Sequence, residues 1–116
     1  MKVDYSKRPT NLDMKMVKKG TDEYDYYQSN YNEVRLPDAV YLGECETESE
    51  AWDLLKKYLE DNGRRCPYYY RCNYFGNLIE IDYGSWTYFA YIYDLPEEKK
   101  ELIKLNKEIF SSYVEE

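Results

Sequence analysis

Between residues 70 and 92 the side chains alternate in three runs separated by two glycine turns, Gly76-Asn77 and Gly84-Ser85. Short turns of this kind suit the right-handed twist of paired strands, and their length fixes the pairing. Counting outward from two-residue turns, Phe75 faces Leu78 and Tyr83 faces Trp86. The stretch therefore predicts a three-stranded antiparallel sheet, with side chains alternating between its faces. One face collects Tyr70, Cys72, Tyr74, Ile79, Ile81, Tyr83, Trp86, Tyr88, Ala90 and Ile92, and is the expected core face. The other carries three rows: Arg71, Asp82 and Thr87; then Asn73, Glu80 and Phe89; then Phe75, Leu78 and Tyr91. That outer face is polar at one end and aromatic at the other.

Two helices are expected around this sheet. Thr47 and Glu50 form a T-x-x-E capping pair that satisfies free backbone N–H groups at a helix start. Ala51, Trp52, Leu55, Tyr58 and Leu59 then make an apolar stripe of period near 3.6, and Asn62-Gly63 ends it. Asp94 and Glu97 predict a second cap, with Pro96 in the first turn. That last helix runs to near Tyr113, with Leu102, Leu105, Ile109 and Tyr113 on one face and Ile103 and Phe110 beside them. Ala39-Val40-Tyr41-Leu42, after Pro37, supplies a further strand. The predicted class is α+β: three antiparallel strands, with a fourth available, packed on one face by two helices in the order β-α-β-β-β-α after an N-terminal arm. With 116 residues the chain has room for one domain, 1–116. Residues 1–36 are read as the arm with a short helix, and residues 37–116 as the α+β core. In the arm, Thr21 caps a short helix that would place Tyr24, Tyr27 and Tyr31 on one face.

The charge is -7 and is unevenly spread. Residues 21–63 hold twelve acidic and three basic side chains, while residues 1–20 hold six basic and two acidic ones. A net negative protein is repelled by nucleic acid and by anionic membranes and attracted by a basic protein. No apolar run is long enough to span a membrane, and no secretion signal is evident. The three cysteines, Cys45, Cys66 and Cys72, are an odd number, which points to a reducing cytoplasm. Sixteen tyrosines suit both the edges of a small core and a protein-binding surface.

There is no histidine. Ser–His and Cys–His catalysis are thereby excluded, and zinc would lack a fourth ligand beside the cysteines. No phosphate-binding glycine loop is present. Glu80 and Asp82 alternate on one strand face and are the pair a small metal-dependent nuclease would use. Arg71 opposite Asp82 explains that acid more simply as a cross-strand ion pair. The expectation is a chain with no catalytic residue, no metal and no cofactor.

Two acidic clusters remain. Asp22, Glu23 and Asp25 are interleaved with Tyr24, Tyr26 and Tyr27, and Glu44, Glu46 and Asp53 flank the start of the first long helix. Glu48 and Glu50 are accounted for by the helix dipole. Carboxylates spaced along a surface imitate a row of phosphates and attract the same Lys/Arg-rich channel. These nine positions are the candidate partner contacts. The aromatic end of the outer sheet face, Phe75, Leu78, Phe89 and Tyr91, is the alternative.

The stretch Ile81-Asp82-Tyr83-Gly84-Ser85-Trp86-Thr87, after a helix that ends at Asn62-Gly63, resembles small proteins of Firmicute phages and mobile elements. Size, acidity and tyrosine content are similar to the anti-CRISPR proteins those elements carry. The resemblance implies a non-enzymatic inhibitor in the cytoplasm of a bacterial host, one that occupies the arginine-lined site where an effector nuclease reads its PAM. A bacterial immunity protein or antitoxin against a basic toxin is the alternative of the same surface chemistry.

Overall fold

Lys2 to Lys7 alternate apolar and polar residues, Val3 and Tyr5 against Asp4 and Ser6, and all four of those inner residues are buried. In the computed structural model, which describes residues 1–8, 31, 35, 36, 38–65, 70–75, 78–85 and 87–103, this run is strand β1 (Lys2–Lys7). It is followed by β2 (Val40–Glu44), α1 (Glu48–Asp61), β3 (Arg71–Phe75), β4 (Leu78–Asp82), β5 (Tyr88–Tyr93) and the start of a helix, α2, over 97–103. The five strands form one open antiparallel sheet in the order β2-β1-β5-β4-β3. The expected arm is thus corrected over its first residues, because β1 lies inside the sheet between β2 and β5. The expected three or four strands become five. The basic flank Lys2, Lys7 and Arg8 disguises β1 as surface, yet its polar side is buried, with Asp4 bonded to Tyr31 and Arg35.

The first hairpin has the register counted from the sequence, with Phe75 opposite Leu78, Asn73 opposite Glu80 and Arg71 opposite Asp82. The second is displaced. Ile81 pairs with Ala90 and Ile79 with Ile92, where a two-residue turn would set Ile81 against Tyr88. The connection is longer because side chains close it. Asp82 Oδ1 accepts from the Gly84 N–H at 2.8 Å, and Ser85 Oγ accepts from the Tyr88 N–H at 2.9 Å. A slip of two residues keeps every side chain on its face, so Ile79, Ile81, Ala90 and Ile92 still point into the core. The rows of the outer face do change: Glu80 stands opposite Tyr91, not Phe89.

Both helices contribute to the same core, as expected. Ala51, Leu55 and Leu59 of α1 and Ile103 of α2 pack with Val3, Tyr5, Ile79, Ile81, Ala90 and Ile92. The opposite face is not open. Leu78, Phe89, Tyr91 and Tyr93 form a second buried cluster with Tyr31 and Leu36. Among the described residues no helix is long and apolar enough to cross a membrane.

Thr47 caps α1, accepting from the Glu50 N–H at 3.2 Å. Glu50 returns the bond to the N–H of Glu46, one residue before the cap, at 2.8 Å. At the other end Gly63 takes φ +67, with Arg64 N–H bonded to the Leu59 carbonyl at 2.7 Å and Gly63 N–H to Glu60 at 3.1 Å. These two bonds are the Schellman arrangement. Burial of Leu55 and Leu59 contributes about 1.5–3 kcal/mol each, so packing holds the helix while the cap sets where it starts. Thr47→Ala should accordingly cost only ~1 kcal/mol, read as a lower urea midpoint at unchanged m. A variant as stable as the parent would show that the threonine hydroxyl contributes nothing at the cap.

The second expected cap is corrected. Asp94 adopts φ 53 and pairs with Lys2 at 3.6 Å, while the Pro96 carbonyl accepts from the Lys100 N–H at 3.2 Å. Within 97–103, Ile103 is buried and Leu102 is 55% exposed, the reverse of the expected emphasis. Leu105, Ile109, Phe110 and Tyr113 lie outside the described residues.

Candidate binding surfaces

The carboxylates divide into those the fold uses and those it leaves to solvent. Asp4 is fully buried on the outer face of β1. Its Oδ2 accepts from Arg35 Nε at 2.5 Å and Tyr31 Oη at 2.9 Å, and its Oδ1 from Arg35 Nη2 at 2.7 Å and Tyr93 Oη at 3.2 Å. A bidentate guanidinium and two phenols leave this ion with no unmet acceptor direction in the plane of the carboxylate. Burial and the Asp4 charge push the Tyr93 hydroxyl up to about 12, so it stays a donor.

Glu80 is 1% exposed on the same face. Asn73 Nδ2 donates to its Oε1 at 3.3 Å, and Arg8 Nε lies 3.6 Å from Oε2. Burial raises its carboxyl above the usual range, against the pull of Arg8. Asp82, the other half of the nuclease-like pair, is held by Arg71 at 3.2 Å, the cross-strand ion pair its position predicts. Glu48 joins α1, α2 and β3: Tyr74 Oη donates to it at 2.6 Å, and Lys99 forms an ion pair with it. Burial pushes the Glu48 carboxyl up, but the hydrogen bonds from Lys99 and Tyr74 outweigh that and hold it below its ordinary value. Burial beside this group pushes the Cys72 thiol up to about 11, far from a reactive thiolate. Burial likewise raises the Cys45 thiol.

Glu44, Glu46 and Asp53 behave differently. All three are exposed, at the end of β2, in the β2–α1 connection and on α1, and their carboxylates have no ion-pair or hydrogen-bond partner among the described residues. The other expected acidic cluster and its tyrosines, Asp22, Glu23, Tyr24, Asp25, Tyr26 and Tyr27, lie outside the described residues. Of the alternative aromatic patch, Leu78, Phe89 and Tyr91 are between 1% and 2% exposed. The Tyr31 ring stacks on Tyr91 at 5.7 Å. These side chains are interior; Phe75 stands opposite Leu78 in the β3–β4 pairing.

One further constellation has no counterpart in the sequence pattern. Where α1 ends, Arg64 Nη1 donates to Tyr5 Oη at 2.7 Å, and its guanidinium lies 5.6 Å from the centre of the Tyr5 ring and 5.4 Å from that of Tyr88. The Tyr5 ring stacks on Tyr88 at 5.6 Å, and its hydroxyl shares a 3.0 Å hydrogen bond with that of Tyr83. The Asn62-Gly63 stop locates the start of this excursion, but no periodicity ties Arg64 to strands 59 residues before and 24 residues after it. In comparisons with known proteins, no family model matches the chain, and neither the curated proteins nor the solved structures give a match.

Proposed function

We propose that this protein is a non-enzymatic inhibitor that binds a basic, nucleic-acid-binding protein through its acidic surface. Within that class the reading is an anti-CRISPR that competes with DNA for the PAM-reading site of an effector nuclease in a bacterial cytoplasm. One observation carries the acidic surface. Asp4, Glu48, Glu50, Glu80 and Asp82 each have partners within the chain, whereas Glu44, Glu46 and Asp53 are exposed and have no partner among the described residues. Carboxylates free of internal partners are the ones a basic surface can pair with at no cost to the fold. Asp22, Glu23 and Asp25 belong to the same proposal through their sequence alone.

The test is binding to a purified effector nuclease, with and without its DNA. Glu44→Gln, Glu46→Gln and Asp53→Asn together keep side-chain size and spare the Thr47–Glu50 cap. This triple variant should bind about tenfold more weakly or worse, since each charge-assisted hydrogen bond to an arginine is worth ~1 kcal/mol or more. Binding should also weaken as salt rises and should be excluded by bound DNA. Affinity that is indifferent to salt, and unchanged in this triple variant and in one neutralised at Asp22, Glu23 and Asp25, would leave the acids as solvated surface and end the proposal.

A further inference from the structure

We propose that Arg64, Lys7 and the tyrosine cluster beside them form a binding site for a phosphate dianion, at the end of the helix-covered sheet face where β1 finishes and β5 begins. The case begins with an arginine that is held but not neutralised. Its backbone is fixed by the bond to Leu59 and its Nη1 by Tyr5, and the Tyr5 and Tyr88 ring centres lie 5.6 and 5.4 Å from its guanidinium carbon. Tyr5 is in turn wedged between Tyr58, at 4.8 Å, and Tyr88. A guanidinium seated in this way has lost part of its conformational freedom before a ligand arrives, and four of its five N–H groups have no hydrogen-bond partner among the described residues.

Lys7 supplies the second charge. It pairs across β1–β5 with Tyr88, and alternation places it on the same side of the sheet as Tyr5 and Tyr88. Neither Lys7 nor Arg64 has a carboxylate partner among the described residues, although acids outnumber bases 23 to 16 in the chain. Four other cations are matched: Arg35 with Asp4, Arg71 with Asp82, Lys99 with Glu48 and Lys2 with Asp94.

The donor set selects the ligand. A fork of N–H groups, an ammonium and phenolic hydroxyls are donors that a tetrahedral oxyanion, with oxygens in several directions, can engage together more readily than a planar carboxylate can. Two positive charges without a carboxylate partner among the described residues match a dianion. Tyr5 stays protonated, because burial and Tyr83 raise its hydroxyl well above the ordinary value. The net charge of -7 opposes any anion at long range, so direct bonding to these groups, not steering, must hold the phosphate. This site is independent of the acidic surface at the β2–α1 corner.

Nitrogen–proton correlation spectra that include arginine Nε–Hε signals test the assignment, with inorganic phosphate as probe at mildly alkaline pH. Sodium chloride at matched ionic strength is the control, and acetate tests selectivity. Phosphate should shift the Arg64 Nε–Hε signal and the Lys7 and Tyr88 amides saturably at millimolar concentration, with acetate clearly weaker. Arg64→Gln should weaken binding by about tenfold or more, and Arg64→Lys, which keeps the charge but not the fork, by less. Lys7→Gln, exposed and outside the core, should also weaken it and serves if Arg64→Gln does not fold. The assignment is overturned if phosphate does no more than chloride, if acetate binds as well, or if folded Arg64 and Lys7 variants titrate like the parent.

Discussion

Arg35→Met should destabilise this protein by about 3–5 kcal/mol, the cost of leaving a buried charge without its counter-ion. Asp4 is 0% exposed, whereas the Arg35 side chain keeps 40% of its surface in solvent. The two partners are therefore not equivalent. An arginine that loses Asp4 can turn to water, but a carboxylate that loses Arg35 is left, among the described residues, with the Tyr31 and Tyr93 hydroxyls and no cation. Against a total stability of roughly 5–15 kcal/mol, such a loss approaches unfolding for a domain of this size. Urea denaturation of Arg35→Met, Asp4→Asn and the double variant measures it. The double variant should be more stable than the sum of the single losses predicts, by about 0.5–3 kcal/mol, because neutralising Asp4 removes the charge that Arg35→Met strands. Single variants within ~0.5 kcal/mol of the parent, or strictly additive losses, would show that the ion pair does not hold the covering segment to the sheet.

The same network shows where the sequence is legible. Glycine turns, an alternating pattern and a capping pair are local signals, and they place β3, β4, β5 and α1 with the right faces inward. The second hairpin slips by two because Asp82 and Ser85 close its loop with their side chains, which a count of turn residues does not register. Strand β1 escapes local signals for a different reason. Asp4 and Ser6 look like the solvent side of a surface strand, and the burial of Asp4 goes with Arg35, Tyr31 and Tyr93, which are 27 to 89 residues away. Nothing short-range encodes such a meeting. Among the candidate surfaces, the sequence separates Asp82 from the free acids through Arg71, and it assigns Glu50 to the helix cap. It carries no sign that Glu48 is clamped by Lys99 and Tyr74, or that Arg64 is bonded to Tyr5 with no carboxylate partner among the described residues.

Phe89→Ala should cost about 3–5 kcal/mol of stability, which distinguishes an interior aromatic from a docking patch. Phe89 is 2% exposed, beneath the cluster of Tyr31 and Leu36, with the Arg8 guanidinium 5.3 Å from its ring centre and the Tyr91 ring at 6.4 Å. Removing it leaves a cavity, and the size of the loss depends on how far the walls can close. Here one wall is the sheet, and the other is tied to Asp4 through Arg35 and Tyr31, so collapse is restricted. Phe89→Leu, which restores most of the volume, should recover the greater part of the loss. The pair of variants separates stability from recognition. A surface anchor would lose partner affinity on truncation while its stability stayed within ~0.5 kcal/mol of the parent, and that result would place Phe89 at an interface. The restricted collapse has its own consequence. In an Arg35→Met background the covering segment is free to settle into the cavity, so Phe89→Ala should cost less there than in the parent, by about 0.5–3 kcal/mol. Equal costs in both backgrounds would mean that the Asp4 tether and the aromatic cluster act independently.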